Sequence, residues 1–239
     1  MPRGDTAGRA AAHRVFLLSP ARAGGERMAL VLSPRARFPL ARAVQAGGAP
    51  LGEVFRFASG LYFRGKLAYA EAFARPPPGL PGALVIAPGA GLLPAGLAVR
   101  SEHLRAFAAV PVEARDARFR GPLLEAARLV AERIGERGEV VLLGSIASDK
   151  CVEPLLSVFG ERLLFPLDFV GRGDMSRGGL MLRAARAGVE LAYARVLGAV
   201  RHGKRPPRLD PVRRGADRAS STGAKRGRSR RGAPLARRR

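Results

Sequence analysis

A single cysteine, Cys151, stands in a chain of 239 residues, and tryptophan and asparagine are absent altogether. One thiol excludes a disulfide framework. With only three histidines beside it (His13, His103 and His202), a zinc site of cysteine and histidine ligands has too few donors, and no metal or cofactor is expected. Lysine is scarce too, with four against 38 arginines, and there are three isoleucines and two threonines. Arginine, alanine, glycine and proline share GC-rich codons, whereas lysine, asparagine and isoleucine have AT-rich ones. Part of the formal charge of +23 is therefore attributable to base composition rather than to a polyanionic partner.

Long uninterrupted hydrophobic runs are also missing. The charge-free stretch between Arg75 and Arg100 holds six prolines and five glycines. A spanning helix needs about 20 predominantly apolar residues, so these breakers point to a buried strand, a turn and a second short run. The apolar run after Arg14 (Val15 to Leu18) is too short for a signal peptide. The reading is a soluble, cytoplasmic protein without a membrane segment. Its 47% apolar content is enough for one buried core.

Charge is distributed unevenly. Residues 201–239 carry 15 basic and two acidic side chains, or +13, against +10 for residues 1–200. The final segment has almost no large apolar side chains, so it cannot offset the entropy lost on ordering, and disorder is expected there. Such an arm can hold RNA or DNA without sequence preference by releasing counterions; alternatively it is a solvated extension. No aromatic residue is interleaved to stack on bases. Residues 1–13 form a second expected tail, leaving 14–200 as one domain.

Within that domain, short apolar runs alternate with glycine-rich turns and helical periods. Val15–Leu18, Ala83–Ala87, Glu139–Leu143, Arg162–Phe165 and Leu191–Val196 read as strands, with Val54–Phe57 a weaker candidate. They are continuous rather than alternating, as in strands covered on both faces. Leu123, Ala127, Val130 and Ile134 mark a helix for which Pro122 suits the first turn and Gly135 the stop. Phe63, Leu67, Ala70 and Ala74 mark another. A third follows Gly179, and a fourth starts near Glu153 with Pro154 in its first turn. The expected fold is an α/β three-layer sandwich, a mostly parallel central sheet with helices on both faces.

Ligands of such sheets bind beyond the carboxyl ends of the strands. The loops there are alike in chemistry. Ser19, Arg22 and Glu26 follow the first strand, and Gly144, Ser145 and Ser148 follow Glu139–Leu143. Asp168 and the Gly171–Gly179 loop follow the late strand. Small residues admit an anion to backbone N–H groups, and Arg172 and Arg177 can grip a phosphate or carboxylate. Asp174 and Ser176 complete that loop, either as ligand contacts or as helix caps. In the segment Ser59–Lys66, Tyr62 can stack on a base while Arg64 or Lys66 meets a phosphate, or else the tyrosines pack as core. Neither GxxxxGK[ST] nor GxGxxG is present in the required context, and no GxSxG elbow accompanies His103. Cys151 sits at a helix entrance, where a thiolate can be favoured. Acid–base candidates are Asp174, Asp168 and Glu26.

The strings SGLYFRGKLAYA (59–70), VVLLGSIASDK (140–150) and FGERLLFPLDFVGRGDMSRGGL (159–180) resemble a family of uncharacterised bacterial proteins. More distantly, the order of elements is similar to α/β sandwiches of uracil-DNA-glycosylase-like architecture, although the glycosylase's catalytic motifs are missing. That resemblance implies an association with nucleobases or nucleic acid. Together these readings lead to a nucleotide- or nucleic-acid-associated protein with a phosphate- or nucleobase-binding pocket at the rim of the sheet. The alternatives are a non-catalytic interaction module whose basic tail contacts acidic partners, and a transferase using phosphate.

Overall fold

The computed structural model describes residues 12–21, 24–207 and 209. The expectations for residues 1–11, for Arg22 and for the arm beyond 209 lie outside the described residues. The first strand, β1 (Arg14–Leu18), is followed by α1 (Glu26–Leu32), α2 (Pro39–Ala46), a short β2 (Ala49–Pro50), α3 (Leu51–Ser59) and α4 (Leu61–Phe73). Next come β3 (Ala83–Ala87), β4 (Gly91–Pro94), β5 (Ala98–Val99), α5 (Ser101–Ala108) and α6 (Ala117–Ile134). The last third holds β6 (Glu139–Leu143), α7 (Asp149–Phe159), β7 (Leu163–Pro166), α8 (Asp174–Ala187) and β8 (Tyr193–Arg195).

Six strands form one sheet in the order β4-β3-β1-β6-β7-β8. The inner four are parallel, and β4 and β8 run antiparallel at the edges. β1 lies in the middle, with Leu18 level with Val85 on one side and Leu143 on the other. Val15 to Leu18 and Val140 to Leu143 are wholly buried, which accounts for their uninterrupted apolar sequence. α4 packs on β1 and β3 and crosses α8, while α6 and α7 pack on each other and on β4 and β7. The result is the three-layer α/β sandwich.

The order in which the parallel strands are laid down reverses at the centre of the sheet. From β1 the chain crosses by way of α4 to β3 on one side. From β6 it crosses by way of α7 to β7 on the other. The loops leaving β1 and β6 therefore diverge to opposite faces, and a crevice opens between them.

Several local expectations are corrected. Val54–Phe57 is helical, inside α3, with Val54 and Phe55 facing the core. α6 starts five residues before Pro122, on Asp116, whose carboxylate accepts from the Arg118 N–H at 2.9 Å. Pro154 likewise lies inside α7 rather than in its first turn. The Gly171–Gly179 segment is a loop only as far as Gly173, and α8 already contains Gly178 and Gly179. Gly178 is there for packing rather than for a turn. A Cβ on Gly65 of α4 would lie 2.5 Å from the Gly178 carbonyl oxygen, so the two helix backbones touch. The domain also runs past the expected boundary at 200. Arg201 donates to the Ile146 carbonyl at 3.2 Å and pairs with Asp149 at 2.8 Å, and the Pro207 carbonyl accepts from Arg172.

Candidate functional site

The crevice between the ends of β1 and β6 is a cleft of about 510 Å³. Ser19, Pro20 and Ala21 supply one wall, and Ser145, Ser148, Lys150 and Cys151 the facing one. Ser59 and Tyr62 close it from the α3–α4 side, Asp174 from the start of α8. Five of the residues expected to share a site, Ser19, Ser59, Tyr62, Ser145 and Asp174, thus line one cavity. Gly144 lies directly beneath: a Cβ there would come within 2.8 Å of the Ser19 Cβ, so only glycine lets the two loops meet.

A buried lysine lies behind the wall, against Ser19 and Tyr62, and does not itself line the cleft. Lys66 is 1% exposed, and its Nζ donates to the Ser19 carbonyl at 3.1 Å and to Ser19 Oγ at 2.6 Å. It also sits 3.9 Å from the centre of the Tyr62 ring. Burial drives its pKa down from 10.5 to about 7, assisted by the Arg177 charge and opposed by Asp174 and Cys151. With no carboxylate bonded to it, the amine gains little by being charged. Tyr62 is affected in the opposite sense. Burial raises its hydroxyl to about 12, and its oxygen has no hydrogen-bond partner among the described residues. Arg177 lies near enough to act on it electrostatically without a bond of regular geometry.

Arg177 is structural. It is 6% exposed, donates twice to the Phe169 carbonyl (3.2 and 3.0 Å) and once to the Gly144 carbonyl (3.4 Å), and stacks near the Phe169 ring. Asp174 stands 3.8 Å away. The expectation that Arg177 grips a ligand anion is corrected: its donors hold the loops after β6 and β7 together. Stacking of a base on Tyr62 is corrected in the same way, because the ring is buried with Lys66 against it.

Other expected residues fall elsewhere. Arg172 and Ser176 bond each other at 3.3 Å and line a separate groove with Arg183 and Arg205. Arg64 is exposed beside Arg27, Glu53 and Arg56 in a third groove. Glu26 and Asp168 are exposed and line none of these cavities. His103 is exposed at the start of α5, its Nδ1 accepting from the Arg100 N–H. Cys151 is no poised thiolate, because burial raises its pKa to about 11. A larger groove of about 970 Å³ between α6 and α7 is lined by two ion pairs, Arg120 with Glu153 and Arg201 with Asp149, and by Arg115. Lys150 and Val112 were missed as lining residues. Lys150 follows the serine loop by two residues and was open to notice; Val112 lies in an irregular segment with no signal.

Among the described residues no group of three histidine, cysteine or acidic side chains could hold a metal ion. No described helix is long and apolar enough to cross a membrane. No family model, curated protein or solved structure matches the chain.

Proposed function

We propose that the cleft between β1 and β6 binds a small ligand bearing a phosphate or a nucleobase, making this a nucleotide-associated α/β protein. The observation that carries the reading is the meeting of the Ser19 and Ser145 loops where the sheet connections diverge, the position at which open α/β sheets hold ligands. A cavity of about 510 Å³ lies within the roughly 300–1,000 Å³ typical of small-ligand sites. The wall chemistry suits an anion. No carbonyl among the described residues accepts from the N–H groups of Ser145, Ala147 or Ser148, and these groups lead into the N-terminus of α7. Lys150 and the serine hydroxyls add charge and donors at the same edge. Asp174, on the opposite edge, suits the N–H groups of a base.

The 15 basic residues of 201–239 support a second, sequence-independent contact with RNA or DNA by counterion release. The test of the cleft is a melting-temperature screen against mononucleotides, nucleobases and inorganic phosphate. A ligand at 100 times its dissociation constant adds about 2.7 kcal/mol, or roughly 5–10 °C for a domain of this size. Absence of any stabilisation at millimolar concentrations refutes the reading.

A further inference from the structure

We infer that Ser19 is a nucleophile and Lys66 its general base, so that the cleft carries out acyl transfer or hydrolysis on a carboxylic ester carried by its ligand. Only the location of the site is shared with the nucleotide reading.

Three features support the pairing. Ser19 Oγ lies 2.6 Å from Lys66 Nζ, within proton-transfer distance, and Ser19 lines the cleft. Lys66 is buried without a carboxylate partner, and its second bond, to the Ser19 carbonyl, fixes the amine beside the hydroxyl. Beside it, the close packing of Gly144 on Ser19 brings up the loop whose Ser145 N–H donates to no described carbonyl, a donor suited to an oxyanion. Serine paired with lysine is an established alternative to serine with histidine, and it explains how a cleft lined by no described histidine could activate a hydroxyl.

The chemistry balances. The Nζ lone pair takes the Ser19 hydroxyl proton as Oγ bonds to the ester carbon, and the carbonyl electrons move onto oxygen. The carbonyl re-forms, the bond to the alcohol oxygen breaks, and that oxygen takes the proton from the Lys66 ammonium. Acyl-Ser19 then reacts with water, which gives a proton to Lys66; the carboxylic acid leaves as that proton returns to Ser19 Oγ. The sum is ester plus water to acid plus alcohol.

The test uses the full chain and a fluorophosphonate probe, which phosphonylates an activated serine with loss of fluoride. Intact mass and peptide mapping should place one adduct on Ser19. Its rate should rise about tenfold from pH 6 to pH 8 as Lys66 loses its proton. Ser19→Ala should abolish the adduct, and Lys66→Met should slow it at least 100-fold. The groups facing Lys66 are Tyr62 on α4, Cys151 on α7, and Asp174 and Arg177 on α8. Tyr62 and Cys151 titrate far above this window, so neither supplies the profile. Should Lys66→Met fail to fold, the wild-type pH profile and the mapped residue still decide. No adduct, an adduct on Ser59, Ser145 or Ser148, or a rate flat with pH overturns the inference. Nucleotide stabilisation that persists while labelling fails overturns the nucleophile alone; labelling without nucleotide stabilisation overturns the nucleotide reading alone.

Discussion

Lys66→Met should make the protein more stable near neutral pH and erase a distinctive pH dependence. Lys66 is wholly buried and its pKa is lowered from 10.5 to about 7. The unfolded chain therefore holds one more proton than the folded one between those limits, and stability must rise with pH through that window. Below pH 7 both states are protonated and the full penalty is present, on the order of 5 kcal/mol at about 1.4 kcal/mol per pH unit. From pH 7 to 8.5 the wild type should gain on the order of 1–2 kcal/mol once partial protonation of the folded state is included. At about 2–4 °C per kcal/mol this is a rise of several degrees in Tm. Methionine keeps the length and apolar stem of lysine without a titrating amine, and it forgoes the bonds to Ser19. Differential scanning calorimetry of both proteins across that range is the assay. Cys151 and Tyr62, whose raised pKa values act in the opposite sense, matter only above about pH 8.5 to 9. Parallel curves for wild type and variant would refute the claim that Lys66 is buried as a neutral amine.

Other perturbations probe the framework of the site. Arg177→Ala should cost about 3 kcal/mol, measured by urea unfolding, because the Phe169 and Gly144 carbonyls lose their donors in a buried place. Arg172→Ala should leave nucleotide stabilisation of the cleft unchanged, since Arg172 lines a different groove. Gly178→Ala should lower Tm by several degrees, because a Cβ would stand 2.8 Å from the Leu61 carbonyl oxygen and overpacking costs about 1–3 kcal/mol. Removing residues 210–239, with 11 basic and two acidic side chains, should weaken anisotropy-detected oligonucleotide binding and flatten its salt dependence, and leave mononucleotide stabilisation of the cleft intact.

The strands were legible where burial on both faces made the sequence uniformly apolar, as in Val15–Leu18, Ala83–Ala87 and Glu139–Leu143. Val54–Phe57 is mostly apolar too, but it belongs to an amphipathic helix too short for its period to show, with Val54 and Phe55 buried and Arg56 exposed between Phe55 and Phe57. In sequence Gly178 looks like a turn residue, because glycine usually marks one; its use for close contact with Gly65 depends on a helix far away in sequence. Pro122 and Pro154 each sit at the sixth position of a helix, beyond the first turn where proline costs least. Within the site, Ser19 and Ser145 were found because position after a strand is a sequence property. The arginines are not legible in this way: nothing local distinguishes Arg177, turned inward onto two carbonyls, from Arg64, turned outward. By sequence Lys66 suits a phosphate, whereas its bonds to Ser19, 47 residues away, exist only in three dimensions.

The most direct test of the central claim is a backbone NMR titration with the mononucleotide that most raises the melting temperature. The account predicts saturable shifts concentrated at Ser19, Ser59, Ser145 and Ser148, with Arg172 and Ser176 unmoved. Shifts confined to the Arg172 groove, or spread along basic surface residues without saturation, would contradict a ligand site at the meeting of β1 and β6.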